Sequence, residues 1–463
     1  MFAATSLGIF VGVGWCFDAN ESLAQDPNAK PQSSRPSVLL MLCDDIGADE
    51  LGLYGHPEHQ TPNLDAMGRS GLWFTTGYST PICHPTRFQI MTGQYAHHNG
   101  VYQFPKRPGG PAVPDEGVDD IASHWTFGKL LQAAGYATAM AGKWQLSGQH
   151  PTLIHECGFD EYCMWAYRHN LPPGVSHDGA WEGKPGSRTS RYWHPSVVRN
   201  GRYLDTDDED YGPEIYSDFV LDFIARQNDD PFFVYYPMAL THSPYYTTPE
   251  TTETAADRFN HQKSNWRDNV EYADTIAGKL IDGLKRLGRL DNTLIIFVGD
   301  NGTGGNGKAT ATEMGCRVPF IVSGSGLVPS VGECRNLVDL SDIFPTICDV
   351  AGMEIPVEHI VDGVSITPYF TDPTVPLRQW IYAPLGGSRV VRTERWLLED
   401  NTVDRFGRLY DCGDCRDGSA YREVTDQTTP EVQAAKKMMR QILSDKPVPR
   451  VRDKQRPSNK AAG

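Results

Sequence analysis

Two pairs of oxygen-bearing side chains lie just beyond apolar runs of the chain. Asp44 and Asp45 come after the first run, and Asp300 and Asn301 come after the second. Carboxylate and amide oxygens are the ligands that calcium and magnesium prefer, whereas zinc and copper favour nitrogen and sulfur. The four residues therefore predict a site for one hard divalent cation, calcium or magnesium. Solvated loop starts are the alternative interpretation of both pairs.

The apolar runs that precede these residues predict strands buried on both faces. They cover 38–43 and 293–298, and a third run of the same kind covers 231–236. In open α/β sheets, ligands bind beyond the carboxyl ends of the strands. The two acidic strand ends are therefore expected to converge on one cation.

Helical and strand patterns alternate along most of the chain. Apolar residues recur at three- and four-residue spacing over 127–134, 216–227 and 269–287. This alternation predicts an α/β fold with a large mixed, mostly parallel sheet sandwiched by helices. We expect a catalytic domain over 37–372, a small antiparallel C-terminal subdomain over 373–445 and a flexible tail over 446–463.

The first 36 residues differ in composition from the remainder. An apolar stretch followed by Ser22-Leu23-Ala24 predicts a signal peptide over 1–24, and a polar, proline-rich linker follows over 25–36. The stretch is too short for stable membrane insertion. A periplasmic or secreted location is expected, and a plain N-terminal tail is the alternative.

The charge of the chain limits its partners. Its 463 residues carry a formal net charge of -16, which argues against nucleic acid as a partner because such proteins present a basic surface to phosphates. An anionic substrate would have to be attracted by a metal ion and a local basic cluster, against the overall field.

A short motif in the first quarter of the chain has a specific resemblance. Cys83, Pro85 and Arg87 are followed by Met91-Thr92-Gly93, and this arrangement resembles the signature of the formylglycine-dependent sulfatases of the alkaline phosphatase superfamily. The resemblance runs from Arg35 to about Asp426 and includes further matching segments: Gly142-Lys143-Trp144, Thr241-His242-Ser243-Pro244, Gly299-Asp300-Asn301-Gly302 and Arg317-Val318-Pro319.

The resemblance implies that a maturation enzyme converts Cys83 to formylglycine, whose hydrate is both metal ligand and nucleophile. One hydroxyl of the hydrate would attack sulfur and displace the alcohol. Deprotonation of the other would let the aldehyde re-form and expel sulfate. The conversion is chemically reasonable, because a thiolate is a soft ligand that suits an all-oxygen site poorly.

Other positions acquire roles through the same resemblance. Arg87 lies four residues after Cys83, so on one helix it would share the nucleophile's face and stabilise its negative charge. Lys143, His242 and Lys308 match positions that hold the formylglycine, the sulfate oxygens or the leaving-group oxygen.

Gln145 departs from the family pattern, because many sulfatases place histidine there. Glutamine can bind substrate or orient the hydrate but cannot titrate. The base that releases sulfate is therefore in question, with Asp300 or another histidine as alternatives.

A basic and aromatic segment contributes two further substrate-binding candidates. Arg188 and Arg191 lie in this segment, and the acidic run 205–210 follows it closely. Arginine with aromatic neighbours would suit a sulfated sugar. A solvated loop neutralised by its own acidic residues is the alternative.

These observations predict hydrolysis of a sulfate ester, either a small molecule or a polysaccharide, with a sulfated carbohydrate as the expected substrate. One alternative is a phosphodiesterase or phosphonate monoester hydrolase of the same superfamily, some of which use the same motif. Another is an inactive protein that binds sulfated glycans, which only Gln145 suggests.

Overall fold

The computed structural model describes residues 35–104, 121–146, 153–167, 171–172, 174–176, 191–328 and 330–450. The predicted signal peptide and residues 25–34 of the predicted linker lie outside these ranges. Ser37 begins the first strand.

The main element of the described chain is a sheet of eleven strands with the order β11-β2-β10-β8-β1-β7-β3-β4-β5-β6, in which β9 pairs with β2. The strands are β1 Ser37–Cys43, β2 Leu72–Tyr78, β3 Ala137–Gly142, β4 Glu161–Trp165, β5 Val197–Arg199, β6 Arg202–Tyr203, β7 Phe232–Pro237, β8 Thr293–Gly299, β9 Arg317–Val318, β10 Phe320–Ser323 and β11 Gly332–Asp339.

The centre of the sheet is parallel. β1 pairs in parallel with both β7 and β8, and β3 pairs in parallel with β7 and β4. Antiparallel pairs occur at the flanks, where β10 joins β8 to β2 and where β5 and β6 follow β4. The predicted mixed, mostly parallel sheet is confirmed.

The alternation of side chains along β1 shows why its sequence is apolar throughout. Val38, Leu40 and Leu42 belong to one hydrophobic core, whereas Leu39 and Met41 belong to another on the opposite face. Successive side chains of a strand point to opposite faces, so a sheet covered on both sides needs a continuous apolar strand.

Helices cover the two faces. Those of the described chain are α1 Pro62–Ser70, α2 Cys83–Thr92, α3 Ala96–Asn99, α4 Phe127–Ala133, α5 Leu153–Glu156, α6 Gly212–Ala225, α7 Trp266–Arg286, α8 Glu313–Cys316, α9 Ile343–Ala351 and α10 Pro430–Ile442. Helix α6 begins four residues before its predicted start, because Gly212 and Pro213 form its first turn, a position that proline favours. None of the helices within the described ranges has the length and apolar character needed to cross a bilayer.

A second sheet lies near the C-terminus. Its strands are all antiparallel, in the order β12 Trp380–Leu385, β13 Ser388–Thr393, β14 Trp396–Asn401, β15 Arg408–Asp411 and β16 Arg422–Glu423. This confirms the predicted small antiparallel subdomain.

The first residues of the predicted flexible tail pack against this subdomain. Lys446 and Val448 are buried, the Lys446 ammonium lies over the Trp380 ring, and Arg389 donates to the Lys446 carbonyl. The expectation of a flexible segment from residue 446 is therefore wrong for 446–448, because these contacts hold the chain beyond α10.

Candidate active site

The two acidic strand ends meet at the carboxyl edge of the parallel sheet. β1 and β8 are neighbours in register, which places Asp44 and Asp45 beside Asp300 and Asn301. The Asp45 backbone amide donates to Asp300 Oδ1 at 3.0 Å, and Asn301 Nδ2 donates to Asp45 Oδ1 at 2.9 Å. All four residues are buried. The structure thus brings together the residues that the sequence nominated as metal ligands.

Cys83 is the first residue of α2 and points into this group. Ile82 before it is extended, Pro85 occupies the first turn, where its missing N–H costs no hydrogen bond, and the left-handed Gly93 ends the helix. A ligand atom of Cys83 lies within 4.8 Å of carboxylate oxygens of Asp44 and Asp300. Because a helix N-terminus favours negative charge, this position suits an anionic nucleophile.

Arg87 lies one turn further along α2 and is completely buried. Its Nη2 lies 2.7 Å from Asp300 Oδ2 and 3.6 Å from Asp44 Oδ1, and its Nη1 donates to the Lys143 carbonyl at 2.7 Å. The guanidinium therefore joins both acidic strand ends to the loop after β3.

Lys143 and Arg191 share one oxygen of Asp44. Lys143 Nζ is 2.6 Å and Arg191 Nη1 is 2.7 Å from Asp44 Oδ2, and the Arg191 guanidinium stacks on Trp165 at 4.3 Å. Gly142 lets the chain before Lys143 pack against the end of β7, because a Cβ atom there would lie 2.2 Å from the Pro237 carbonyl oxygen. Arg191, one of the predicted substrate-binding residues, is thus buried against the carboxylates.

Lys308 and His242 approach the second carboxylate. Lys308 Nζ lies 2.6 Å from Asp45 Oδ2, and His242 Nε2 lies 3.7 Å from the same oxygen. His242 Nδ1 donates to the Ser243 carbonyl at 2.6 Å, which leaves Nε2 facing the centre. Lys308, which lies in a glycine-rich stretch of the sequence, is therefore beside Asp45.

Burial and neighbouring charges shape the protonation of the centre. Burial alone would raise the pKa of Asp44, but surrounding cations, led by Lys143, hold that pKa well below its usual range. Burial and the adjacent Asp44 raise the pKa of Asp300 despite Arg87. Burial, together with two nearby cations, lowers the pKa of His242 to about 4. Asp44 is consequently ionised and His242 neutral near neutral pH.

The oxygen atoms of the centre fit a hard divalent cation. Asp44 Oδ1 and Asn301 Oδ1 are buried and accept no hydrogen bond from any described residue. Buried oxygens without partners are costly, and a cation would satisfy both while reducing the repulsion among the carboxylates. Asp44, Asp45, Asp300 and Asn301 are therefore the residues that could hold it.

Two predicted substrate-binding residues have different outcomes. Gln145 is buried two residues after Lys143, and its carbonyl is 3.1 Å from His84 Nδ1, while its side-chain Oε1 has no partner among the described residues. Its left-handed backbone, with φ of 59°, is a conformation that concentrates at functional sites. Arg188 lies outside the described residues.

Glu50 supports the centre and was missed by the sequence analysis. Its Oε1 accepts from the Thr303 hydroxyl at 2.7 Å, which in turn accepts from the Gly47 amide at 3.1 Å. Its Oε2 accepts from Trp266 Nε1 at 3.0 Å. No local motif marks this role, because Thr303 and Trp266 lie 253 and 216 positions further along the chain.

Comparison with known proteins relates most of this chain to sulfatases. The Sulfatase family model matches residues 36–353. N-acetylgalactosamine-6-sulfatase from Homo sapiens is 32% identical over 361 residues, which cover 72% of this chain and 65% of that protein. Arylsulfatase A from Homo sapiens is 29% identical over 368 residues, covering 72% of this chain and 67% of that protein. The chain thus spans about 65% of the length of the first of these relatives.

A solved structure is similar to a larger share of this chain. The crystal structure of Ps i-CgsB in complex with k-i-k-neocarrahexaose has a TM-score of 0.71 and 25% identity, and the match covers 89% of this chain and 92% of that chain. The matched family model, the sequence relatives and the acidic centre at the end of β1 and β8 agree. This chain belongs to the sulfatase family.

Proposed function

We propose that this protein hydrolyses sulfate esters of carbohydrates, with Cys83 converted to formylglycine and one calcium ion in the oxygen-lined centre. The observation that carries the proposal is the position of Cys83 at the N-terminus of α2, within 4.8 Å of Asp44 and Asp300 oxygens. A carbohydrate substrate is supported by the relative named for N-acetylgalactosamine and by the similar structure bound to a neocarrahexaose.

The converted residue supplies an oxygen nucleophile, and a bound divalent cation supplies Lewis acidity toward it and toward a sulfate oxygen. The chain's own residues then stabilise charge. The N-terminus of α2 and Arg87 stabilise negative charge at position 83. Lys143, Lys308 and His242 surround the carboxylates and are positioned to bind sulfate oxygens or the leaving-group oxygen.

Gln145 is not a candidate for proton transfer. Its amide cannot exchange a proton at neutral pH, so it acts in orientation only. His242 Nε2 lies 3.7 Å from Asp45 Oδ2, while its Nδ1 donates to the Ser243 carbonyl. We therefore propose that His242 is the histidine next to the reacting atoms, since position 145 holds glutamine in this chain.

The test begins with maturation. The protein is produced with a formylglycine-generating enzyme, and mass spectrometry of the peptide containing position 83 measures the conversion. Sulfate release from 4-nitrophenyl sulfate is expected, and Cys83→Ala should abolish it. An active preparation that retains the thiol would contradict the formylglycine assignment.

A parallel assay separates this function from phosphoryl transfer. The same preparation is offered an aryl phosphodiester at matched concentration. Sulfate ester turnover is expected to dominate, because the ligands are carboxylates and an amide, which suit calcium, without the additional histidines of transition-metal sites. Preferred turnover of the phosphodiester would assign the protein to the phosphodiesterases.

A further inference from the structure

Among the described basic side chains around the acidic centre, Lys308 and His242 are the ones that reach solvent. The side chains of Arg87, Lys143 and Arg191 are at most 1% exposed, whereas Lys308 is 18% and His242 is 22% exposed. A substrate must therefore approach past Lys308 and His242, and the residues beside these two would contact the part of the substrate that carries the sulfate.

Tyr245 lies at this opening. It follows His242 by three residues. Its hydroxyl and Asp45 Oδ2 both face Gly304, because each would lie 3.2 Å from a Cβ atom placed on that glycine. The hydroxyl therefore lies near Asp45. The side chain is half-buried, and no described residue forms a hydrogen bond with its hydroxyl. A tyrosine hydroxyl can both donate and accept a hydrogen bond.

The Tyr245 ring is held in position from behind. Trp266 meets it edge-on at 5.1 Å between ring centroids, and His261 lies at 5.5 Å. The Tyr245 backbone amide donates to His261 Nδ1 at 2.7 Å. Trp266 is itself fixed by its hydrogen bond to Glu50, which also braces the loop after β8. Side chains fixed in this way form preorganised binding surfaces.

We propose that Tyr245 is a specificity-determining residue that contacts the sugar ring bearing the sulfate ester. This inference rests on the proposed sulfatase function. A pyranose has apolar C–H faces and polar edges, and tyrosine offers a matching apolar ring and a polar hydroxyl. Gly304 is needed beside it, since a side chain there would fill the gap between the hydroxyl and Asp45.

The test separates sugar binding from sulfate binding. Hydrolysis of 4-nitrophenyl sulfate is the reporter, and N-acetylgalactosamine 6-sulfate and inorganic sulfate are the two competitors. Tyr245→Ala should raise the inhibition constant of the sugar sulfate about tenfold or more, and Tyr245→Phe about three- to tenfold. The inhibition constant of inorganic sulfate should change less than about twofold in both variants.

The neighbouring tyrosine provides a matched control. Tyr246 is buried in the second hydrophobic core, and Tyr246→Phe should leave both inhibition constants unchanged. The proposal is overturned if the sugar sulfate does not compete in the wild type, if its constant is unchanged in Tyr245→Ala, or if both constants rise together. Failure of the wild type to hydrolyse 4-nitrophenyl sulfate would instead refute the sulfatase function.

Discussion

Replacement of Arg87 by alanine tests how the buried centre is stabilised. The guanidinium is fully buried, as is Asp300, and their closest atoms are 2.7 Å apart. Asp44 Oδ1 lies 3.6 Å from the same nitrogen, and the Lys143 carbonyl accepts from the other nitrogen at 2.7 Å. Arg87→Ala would leave Asp300 buried without its nearest counter-charge.

The magnitude follows from this geometry. Removing one partner of a buried ion pair costs about 3–5 kcal/mol, and leaving a buried carbonyl without its donor costs about 1 kcal/mol. The two costs overlap in part, because one guanidinium makes both contacts. We expect Arg87→Ala to lower the free energy of unfolding by about 4 kcal/mol. Arg87→Lys keeps the charge but loses the fork that serves Asp300 and the Lys143 carbonyl together, so it should cost about 1–2 kcal/mol.

Urea unfolding followed by tryptophan fluorescence and circular dichroism measures these changes, provided that the two transitions coincide. The control is Arg69→Ala, which removes an exposed i,i+4 pair with Asp65 at 3.3 Å and should cost less than about 1 kcal/mol. If Arg87→Ala stays within about 1 kcal/mol of the wild type, Asp300 does not depend on this guanidinium, and our account of the centre is wrong.

Three further perturbations have defined outcomes. A chelator should lower the melting temperature and calcium should restore it, since an ion at a hundred times its Kd adds about 2.7 kcal/mol to the free energy of unfolding. An unchanged calcium response in Asn301→Ala would exclude Asn301 as a ligand. Burial raises the pKa of Asp274 from 3.8 to about 6, so its stabilising contribution is present at acid pH and is lost as pH rises through 6. In urea unfolding, the free energy of unfolding of Asp274→Asn should therefore rise by about 2–3 kcal/mol relative to that of the wild type between about pH 4 and pH 8. A difference between the two proteins that does not change with pH would contradict this. Arg378→Ala should cost about 3–5 kcal/mol in the same assay, because Arg378 Nε donates to the buried Asp342 at 2.8 Å, whereas a loss below about 1 kcal/mol would show that this pair is dispensable.

The sequence predicted the parts of the centre that depend on strand ends. A continuous apolar run identifies a strand buried on both faces, and β1 fits this rule because its side chains alternate between two cores. Once β1 and β8 are neighbours, Asp44 and Asp300 must lie together. The spacing of Cys83 and Arg87 similarly needed only helical periodicity.

Contacts across long sequence separations were not predictable in the same way. Arg191 could be assigned only to a basic loop, because its charge suited both a substrate cleft and a solvated segment. Its contact with Asp44 spans 147 positions, and the contact between Glu50 and Thr303 spans 253. Tyr245 had no motif of its own, since its position at the opening depends on the packing of Trp266 and His261.

The arrangement of charge explains how an acidic protein could attract an anionic ester. The chain carries a net charge of -16. In contrast, the described part of the centre has four cationic side chains and three carboxylates, a local excess of one positive charge. The cations are Arg87, Lys143, Arg191 and Lys308, and the carboxylates are Asp44, Asp45 and Asp300. A bound divalent cation would add two more. Because three of these cations are buried, solvent screens them weakly, and only Lys308 among the four reaches the opening. An anion that passes the acidic surface would therefore meet its strongest attraction within the centre, beside Cys83.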